Sequence, residues 1–122
     1  MPHNWASAEC VRYLRHMLAL EDGQDLRLCA GITSAELRDK NEWVLKNSPT
    51  RFGRIDLTLG ESREHVWRVR FERDAGPVPA SVTLPSVMGG VKFHGVRGAA
   101  SKIVRDVVEL DPAARSWEAF FS

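Results

Sequence analysis

The chain has 122 residues, of which 43% are apolar and 27% charged, and its 17 basic and 16 acidic side chains leave a formal net charge of +1. This composition fits one globular domain and argues against a nucleic-acid-binding protein, which usually needs a clear positive excess. No apolar run approaches the roughly 18–20 residues that span a bilayer, and no secretory signal begins the chain, so we expect no membrane contact and, by default, a cytoplasmic location.

The first predicted element is an amphipathic helix over residues 1–22, with Gly23 as its stop signal. At about 100° per residue, the larger apolar side chains fall on one arc of this helix, whereas Trp5, Glu9 and His16 fall on the other side. A lone amphipathic helix is marginal in water, so we expect the apolar arc to dock on the remainder of the chain.

Beyond the helix, apolar and polar residues alternate with the period of a β-strand. The clearest strand is His65–Arg73, in which Trp67, Val69 and Phe71 share one face. The other face of that strand carries Arg68, Arg70 and Glu72. Further strands are predicted at residues 26–30, 42–46, 55–59, 81–84, 91–94, 103–105, 107–110 and 116–121, with a short helix at 34–38.

This spacing of strands predicts the fold class. About eight short strands with turn signals roughly every ten residues indicate a mainly β protein, an antiparallel β-sandwich over residues 24–122 with one N-terminal amphipathic α-helix. Helical patterns do not alternate with the strands, which argues against a parallel α/β fold. The whole chain, residues 1–122, is therefore expected to be a single domain.

Cysteine and histidine usage indicates neither a metal site nor a cofactor. Cys10 and Cys29 both fall at apolar positions, and we favour two reduced core cysteines over one disulfide, although the sequence leaves both states open. The chain has no C-x-x-C motif, and its four histidines are scattered without the spacing of metal ligands.

Several segments together carry a resemblance to a known family. They are HNWASAECVRYLRHMLALEDG, DLRLCAGI, SPTRFGRIDLTL, WRVRF and DPAARSWEA. In this order they resemble the C-terminal end of bacterial glycosidase-like proteins with a six-hairpin (α/α)₆ catalytic barrel, in which a late barrel helix runs into a terminal β-sandwich. The resemblance implies a carbohydrate-associated accessory domain. It implies no catalytic residue for this chain, because the catalytic carboxylates of that family lie in the barrel.

Three acids are weak candidates for catalysis. Hydrolysis of a glycoside generally needs two carboxyl groups, about 5–5.5 Å apart for retention and about 6.5–9.5 Å apart for inversion. Glu9 shares a helix face with Trp5, and Asp39 and Glu42 lie close to Trp43 in the sequence. The competing interpretation is that all three are solvated acids with arginine or lysine neighbours.

Aromatic residues are the candidates for substrate binding, because the C–H face of a pyranose packs on an aromatic ring. Trp5 and Trp43, with His16 beside Trp5 on the helix, are the candidates for sugar binding. Trp67 and Trp117 alternate with other apolar residues and are predicted to lie in the core. An exposed tryptophan would serve equally well as a protein contact.

These observations favour a carbohydrate-associated accessory β-sandwich that packs on a catalytic partner or binds sugar weakly. The chain is also expected to self-associate, because the surface that meets the barrel in the proteins it resembles would be left bare. The alternative is a small stand-alone glycoside hydrolase that uses a carboxylate pair. A third interpretation is a structural or protein-interaction domain.

Overall fold

A computed structural model of the protein describes residue 15 and residues 17–39, 42–63 and 65–122. Within these residues the chain is mainly β, with 62% in strands. The strands are β1 (Ala19–Asp22), β2 (Asp25–Leu28), β3 (Glu42–Thr50), β4 (Gly53–Arg63), β5 (Val66–Arg73), β6 (Ser81–Pro85), β7 (Val87–Met88), β8 (Val91–Arg97), β9 (Ser101–Val104), β10 (Val107–Leu110) and β11 (Ser116–Phe121). A short helix, α1 (Ser34–Asp39), lies between β2 and β3.

The predicted end of the N-terminal helix at residue 22 is wrong. Residues Ala19–Asp22 form β1, which pairs antiparallel with β2 from Ala19 opposite Leu28 to Asp22 opposite Asp25. Gly23, with a φ of 64°, opens the two-residue turn of this hairpin and does not end a helix. Ala, Leu and Glu favour helix intrinsically, but pairing with β2 overrides that preference. The prediction for residues 1–14 and 16 lies outside the described residues.

The described strands form two sheets. The first sheet has the order β1-β2-β6-β10-β9 and the second sheet the order β3-β4-β5-β11-β8-β7. One of the two sheets is curled into a half-barrel. The expectation of purely antiparallel pairing is wrong at β2 and β6, which run parallel with Leu26 opposite Val82. Parallel neighbours need a long crossover, and α1, β3, β4 and β5 all lie within it.

Most predicted strands and the short helix are found close to their predicted positions. The helix predicted at residues 34–38 is confirmed as α1, and β1 and the two-residue β7 are the strands that the alternation did not predict. The strand predicted at residues 103–105 is found as β9, which begins and ends earlier, at Ser101–Val104. Arg105 has a φ of 60° and lies in the β9–β10 turn, so it cannot continue the strand. None of the helices in the described part of the chain is long and apolar enough to cross a membrane.

The core draws on both sheets. Val69, Phe71 and Trp117 of the second sheet and Leu26 and Leu84 of the first sheet belong to one buried cluster. Phe71 and Trp117 are directly opposite each other on β5 and β11, and their rings stack with centroids 5.0 Å apart. The burial of Trp67 and Trp117 is confirmed. Alternation in these strands therefore does predict which face is buried.

Cys29 lies in this core with a free thiol. Complete burial raises the pKa of the Cys29 thiol to about 12, because the charged thiolate would lose its hydration there. The predicted burial of Cys29 is confirmed, while Cys10 lies outside the described residues.

A polar cluster, called here the Glu21 cluster (Arg15, Glu21, Ser48 and Arg51), joins β1 to the β3–β4 turn. Glu21 Oε2 accepts a hydrogen bond from Arg15 Nη2 at 2.9 Å, and its Oε1 accepts one from the Arg51 backbone N–H at 2.7 Å. Arg15 Nε also donates to Ser48 Oγ at 3.0 Å. Burial alone would raise the pKa of Glu21, but the hydrogen bonds and charges of the two arginines bring it below its usual value.

Candidate functional site

The structure does not gather the sequence candidates into one site. Trp5, Glu9 and His16 lie outside the described residues. Asp39 is the last residue of α1, and Glu42 is the exposed first residue of β3. A catalytic role for any of these acids remains a prediction.

Trp43 is half-buried and packs against the core. Because Glu42 is the preceding residue of β3, its side chain lies on the opposite face of the strand. The indole Nε1 of Trp43 donates a long hydrogen bond of 3.4 Å to the Glu36 carbonyl of α1. The ring is therefore held between the strand and the short helix. Its role in sugar binding remains a prediction.

The outer face of the second sheet carries a continuous row of polar side chains. We define the outer face as the one opposite the buried residues of β4, β5 and β11, which are Leu59, Val69 and Ala119. On it, Thr58, Arg70, Glu118 and Arg97 are aligned across β4, β5, β11 and β8. Arg70 Nη2 lies 3.1 Å from Glu118 Oε1, and Arg70 Nε donates to the same oxygen at 3.3 Å.

A stacked arginine and phenylalanine border this row. The guanidinium of Arg97 lies over the ring of Phe120, with 5.7 Å from its Cζ to the ring centroid. Phe120 is half-buried on the outer face of β11. Such stacking holds a cationic group over an aromatic face and leaves the outward N–H groups available to a ligand.

Two depressions lie on the outer face and a third adjoins them at the end of the sheet, and all three include Glu72 in their walls. The first depression, of about 230 Å³, lies between Arg70, Arg97 and Glu118. The second depression, of about 180 Å³, adjoins Val44 and Arg70. The third depression, of about 220 Å³, lies at one end of the sheet. Each is smaller than a typical closed ligand pocket of roughly 300 Å³ or more. The three adjoin one another through shared lining residues, and we call this set of depressions the groove.

Two carboxylates face each other in this groove, and neither was among the acids predicted from the sequence. Asp56 of β4 lies directly opposite Glu72 of β5. Asp56 Oδ1 accepts a hydrogen bond of 2.6 Å from the backbone N–H of Asn47, which has a φ of 51° at the irregularity of β3. The pair depends on the register of the hairpin that β4 and β5 form, because these consecutive strands bring residues 16 positions apart into direct opposition.

The third depression has an arginine-rich wall next to acids. Its charged lining residues are Arg54, Arg73 and Arg115 together with Asp56, Glu72 and Asp74. Arg73 is only 6% exposed, because it continues the buried face of β5 after Trp67, Val69 and Phe71. The alternation of β5 is thus a sequence signal for Arg73, since an arginine occupies a buried-strand position.

The protonation of Arg73 is disfavoured by its surroundings. Burial lowers the pKa of Arg73, and the charge of nearby Arg115 lowers it further. In the described residues Arg73 forms no ion pair with a carboxylate, and its buried Nε has no hydrogen-bond partner. Its guanidinium therefore has backbone carbonyls, and no salt bridge, as its partners among the described residues.

The described residues hold one serine–histidine contact, between Ser122 Oγ and His94 Nε2, and both residues are exposed. Within the described part of the chain, no carboxylate hydrogen-bonds the other ring nitrogen of His94. A nucleophilic serine usually needs a base that is itself oriented by a third group, so this contact lacks one part of such a site. Over the same residues, no three His, Cys, Asp or Glu side chains converge to hold a metal ion.

Comparison of the chain with family models, with curated proteins and with solved structures gives no match.

Proposed function

We propose that this protein is a carbohydrate-associated, non-catalytic domain that binds sugar weakly through the outer face of its second sheet. The observation that carries this proposal is the open groove of three contiguous depressions that share Glu72. The sequence resemblance to the terminal domain of six-hairpin glycosidase-like proteins is consistent with it.

The proposal includes a β-sandwich in which the two sheets cover each other. It is supported by the single core cluster, which contains the buried side chains of both sheets. It is also supported by the alternation of buried and exposed residues in β5, β6 and β11, because each sheet of a sandwich has one covered face. The outer face of the second sheet would then be one of the two broad surfaces of the molecule.

The chemistry of the groove suits a sugar. Sugar hydroxyls need both donors and acceptors, and the paired Arg70 and Glu118 offer N–H groups and carboxylate oxygens side by side. The Arg97–Phe120 stack offers a planar surface for the C–H face of a ring. Because the depressions are shallow, a sugar would remain partly solvated, and affinity would be weak.

Titration calorimetry with neutral oligosaccharides tests this function. Wild-type protein is expected to bind an oligosaccharide, and Glu118→Gln is expected to weaken binding several-fold because it removes a charged acceptor from the row. Lys102→Gln is the matched control, since Lys102 is an exposed charge on β9 of the first sheet. Absence of binding to a broad oligosaccharide panel would overturn the proposal.

A stand-alone glycoside hydrolase is the second candidate, favoured by the facing pair Asp56 and Glu72. Directly opposed side chains on antiparallel strands have Cβ atoms about 4.5–5.5 Å apart, so the two carboxyl groups lie close enough to act on the same glycosidic bond. A screen with chromogenic glycosides distinguishes the candidates. Turnover that is lost in both Asp56→Asn and Glu72→Gln would establish the hydrolase and overturn the non-catalytic assignment.

Self-association is a separate prediction from the sequence. Light scattering over a range of concentrations is expected to report a mass above that of the monomer at high concentration. A strict monomer throughout would contradict it. If the protein shows neither sugar binding nor glycoside turnover, the third interpretation, a structural or protein-interaction domain, is favoured.

A further inference from the structure

The guanidinium of Arg73 is fixed at the place where two loops meet. Its Nη1 donates to the Asp74 carbonyl at 3.3 Å, and its Nη2 donates to the Pro112 carbonyl at 3.2 Å. These two loops follow β5 and β10 respectively. The backbone N–H of Arg73 also donates to the Arg115 carbonyl at 2.8 Å, which holds the ends of β5 and β11 together.

This arrangement leaves donor capacity unused. A guanidinium has five N–H groups, and the side chain of Arg73 uses two of its three nitrogens with neutral carbonyls. Its Nε is buried without a partner among the described residues. An unpaired buried charge is costly, so a position of this kind usually has a counter-ion.

The neighbouring side chains do not supply that counter-ion. Arg54 and Arg115 line the same depression, and within the described residues neither forms an ion pair with its acids. The carboxylate of Asp56 instead accepts the backbone N–H of Asn47. Three guanidinium groups without a salt bridge among the described residues therefore line one small depression, together with the carboxylates of Asp56, Glu72 and Asp74.

The loops that form this depression are closely packed. A Cβ built on Gly76 would lie 2.9 Å from the Phe52 carbonyl oxygen, so the β5–β6 loop rests directly on the β3–β4 turn. The backbone N–H of Asp74 donates to the Arg54 carbonyl at 2.9 Å. These contacts hold the backbone of the two loops in place around Arg73, whose side chain is itself hydrogen-bonded to both Asp74 and Pro112.

We propose that the third depression binds an oxyanion group between Arg73 and Arg115, and that its ligand is an acidic sugar whose carboxylate occupies this position. Arginine suits this role because its planar fork matches a carboxylate bidentately. The sugar part of the inference rests on the proposed function, and the oxyanion part does not. Asp56 and Glu72 would accept hydrogen bonds from hydroxyls of the same sugar ring, because ionised carboxylates are acceptors only.

Nuclear magnetic resonance of the arginine Nε–H groups tests the proposal directly. Protein labelled with ¹⁵N is titrated with sodium sulfate, sodium glucuronate and glucose at constant ionic strength in sodium chloride. Arg73→Lys removes and so assigns the Arg73 Nε–H signal. Sulfate and glucuronate are expected to shift this signal in a saturable way, whereas glucose at equal concentration leaves it unchanged.

Each other result overturns a defined part of the proposal. A response to sulfate alone overturns the acidic sugar and retains the oxyanion site. Equal responses to glucose and glucuronate overturn charge selection while supporting the proposed carbohydrate function. No response to any of the three overturns the oxyanion site, and the proposed function then depends on the separate titrations with neutral oligosaccharides.

Variants provide a second measurement that does not depend on Arg73 itself. Arg115→Gln is expected to weaken glucuronate binding at least about tenfold, because it removes a charge-assisted hydrogen bond. Arg115 is exposed, so the variant is expected to fold. Lys102→Gln is the control and is expected to bind as the wild type does. Equal affinities of the Arg115→Gln and Lys102→Gln variants would contradict the proposal.

Discussion

Two polar regions of the molecule differ in the partners that they offer to arginine side chains. In the Glu21 cluster, one carboxylate accepts hydrogen bonds from Arg15 and from the backbone of Arg51. In the third depression, Arg73 and Arg115 approach each other, and Arg73 has only backbone carbonyls as partners within the described residues. The first arrangement satisfies its charges internally, and the second does not.

The difference separates a structural role from a binding role. The Glu21 cluster ties β1 to the β3–β4 turn, so we expect its disruption to lower the free energy of unfolding. We expect the Arg73 region to stabilise the fold little, because the repulsion from Arg115 and the lost hydration oppose its hydrogen bonds. A buried charge without an internal partner is retained at the expense of stability, which points to a ligand.

The largest expected effect is that of Glu21→Ala. We expect this change to lower the free energy of unfolding by about 2 kcal/mol, because it leaves both arginines without their carboxylate. Urea denaturation measures the loss. The matched control is Asp22→Ala, since the Asp22–Arg27 pair is more than half exposed and contributes about 0.5 kcal/mol or less. Equal losses in the two variants would remove the structural role of the cluster.

The second effect is the pH dependence that Glu21 confers. Because the pKa of Glu21 is lower in the folded state than its ordinary value of 4.5, its contribution is fully present above pH 4.5. That contribution is lost as the pH falls through the folded pKa. Comparing wild type with Glu21→Gln by thermal unfolding at several pH values should show a steeper acid loss in the wild type. Parallel curves would contradict the assignment.

The third effect is smaller and has no fixed sign. Arg73→Met is expected to change the free energy of unfolding by no more than about 1 kcal/mol, because the loss of two hydrogen bonds is offset by removing a buried charge without a salt bridge. Denaturant titration checks this. A destabilisation of more than about 2 kcal/mol would instead give Arg73 a structural role like that of Glu21 and weaken the comparison.

The smallest effect is expected for Arg115→Gln. Without ligand, this variant should be more stable than wild type by about 0.3 kcal/mol, because a like charge near Arg73 is removed. The gain should decrease as sodium chloride is added, since salt screens the repulsion. A stability loss at low salt would show that Arg115 is paired in solution and would contradict the proposed oxyanion site.

The sequence predicts the inward and outward faces of the second sheet well. Trp67, Val69 and Phe71 are buried and Arg70 and Glu72 exposed, as alternation requires. Alternation succeeds here because a strand covered on one face must place every second side chain there. The same rule makes Arg73 conspicuous, because it is a charged residue at a buried position of β5.

The candidate site was less accessible from the sequence. Asp56 and Glu72, like Arg70 and Glu118, become neighbours only through the register of paired strands. Local patterns predict which residues lie on a strand but not the register between strands, so the acids chosen from the sequence were those next to a tryptophan. Trp43 was weighed as an exposed platform, but contact with α1 leaves it half-buried.

The sequence by itself determined a mainly β chain, the position of most strands and the buried face of each, because side-chain period is a local property of the backbone. Tertiary structure alone decided that Ala19–Asp22 is a strand, that β2 and β6 are parallel, and that three arginines meet at one end of the second sheet. Those features arise from pairing between strands, in a tight hairpin for Ala19–Asp22 and between distant segments for β2 and β6, and the free energy of this pairing outweighs local propensity.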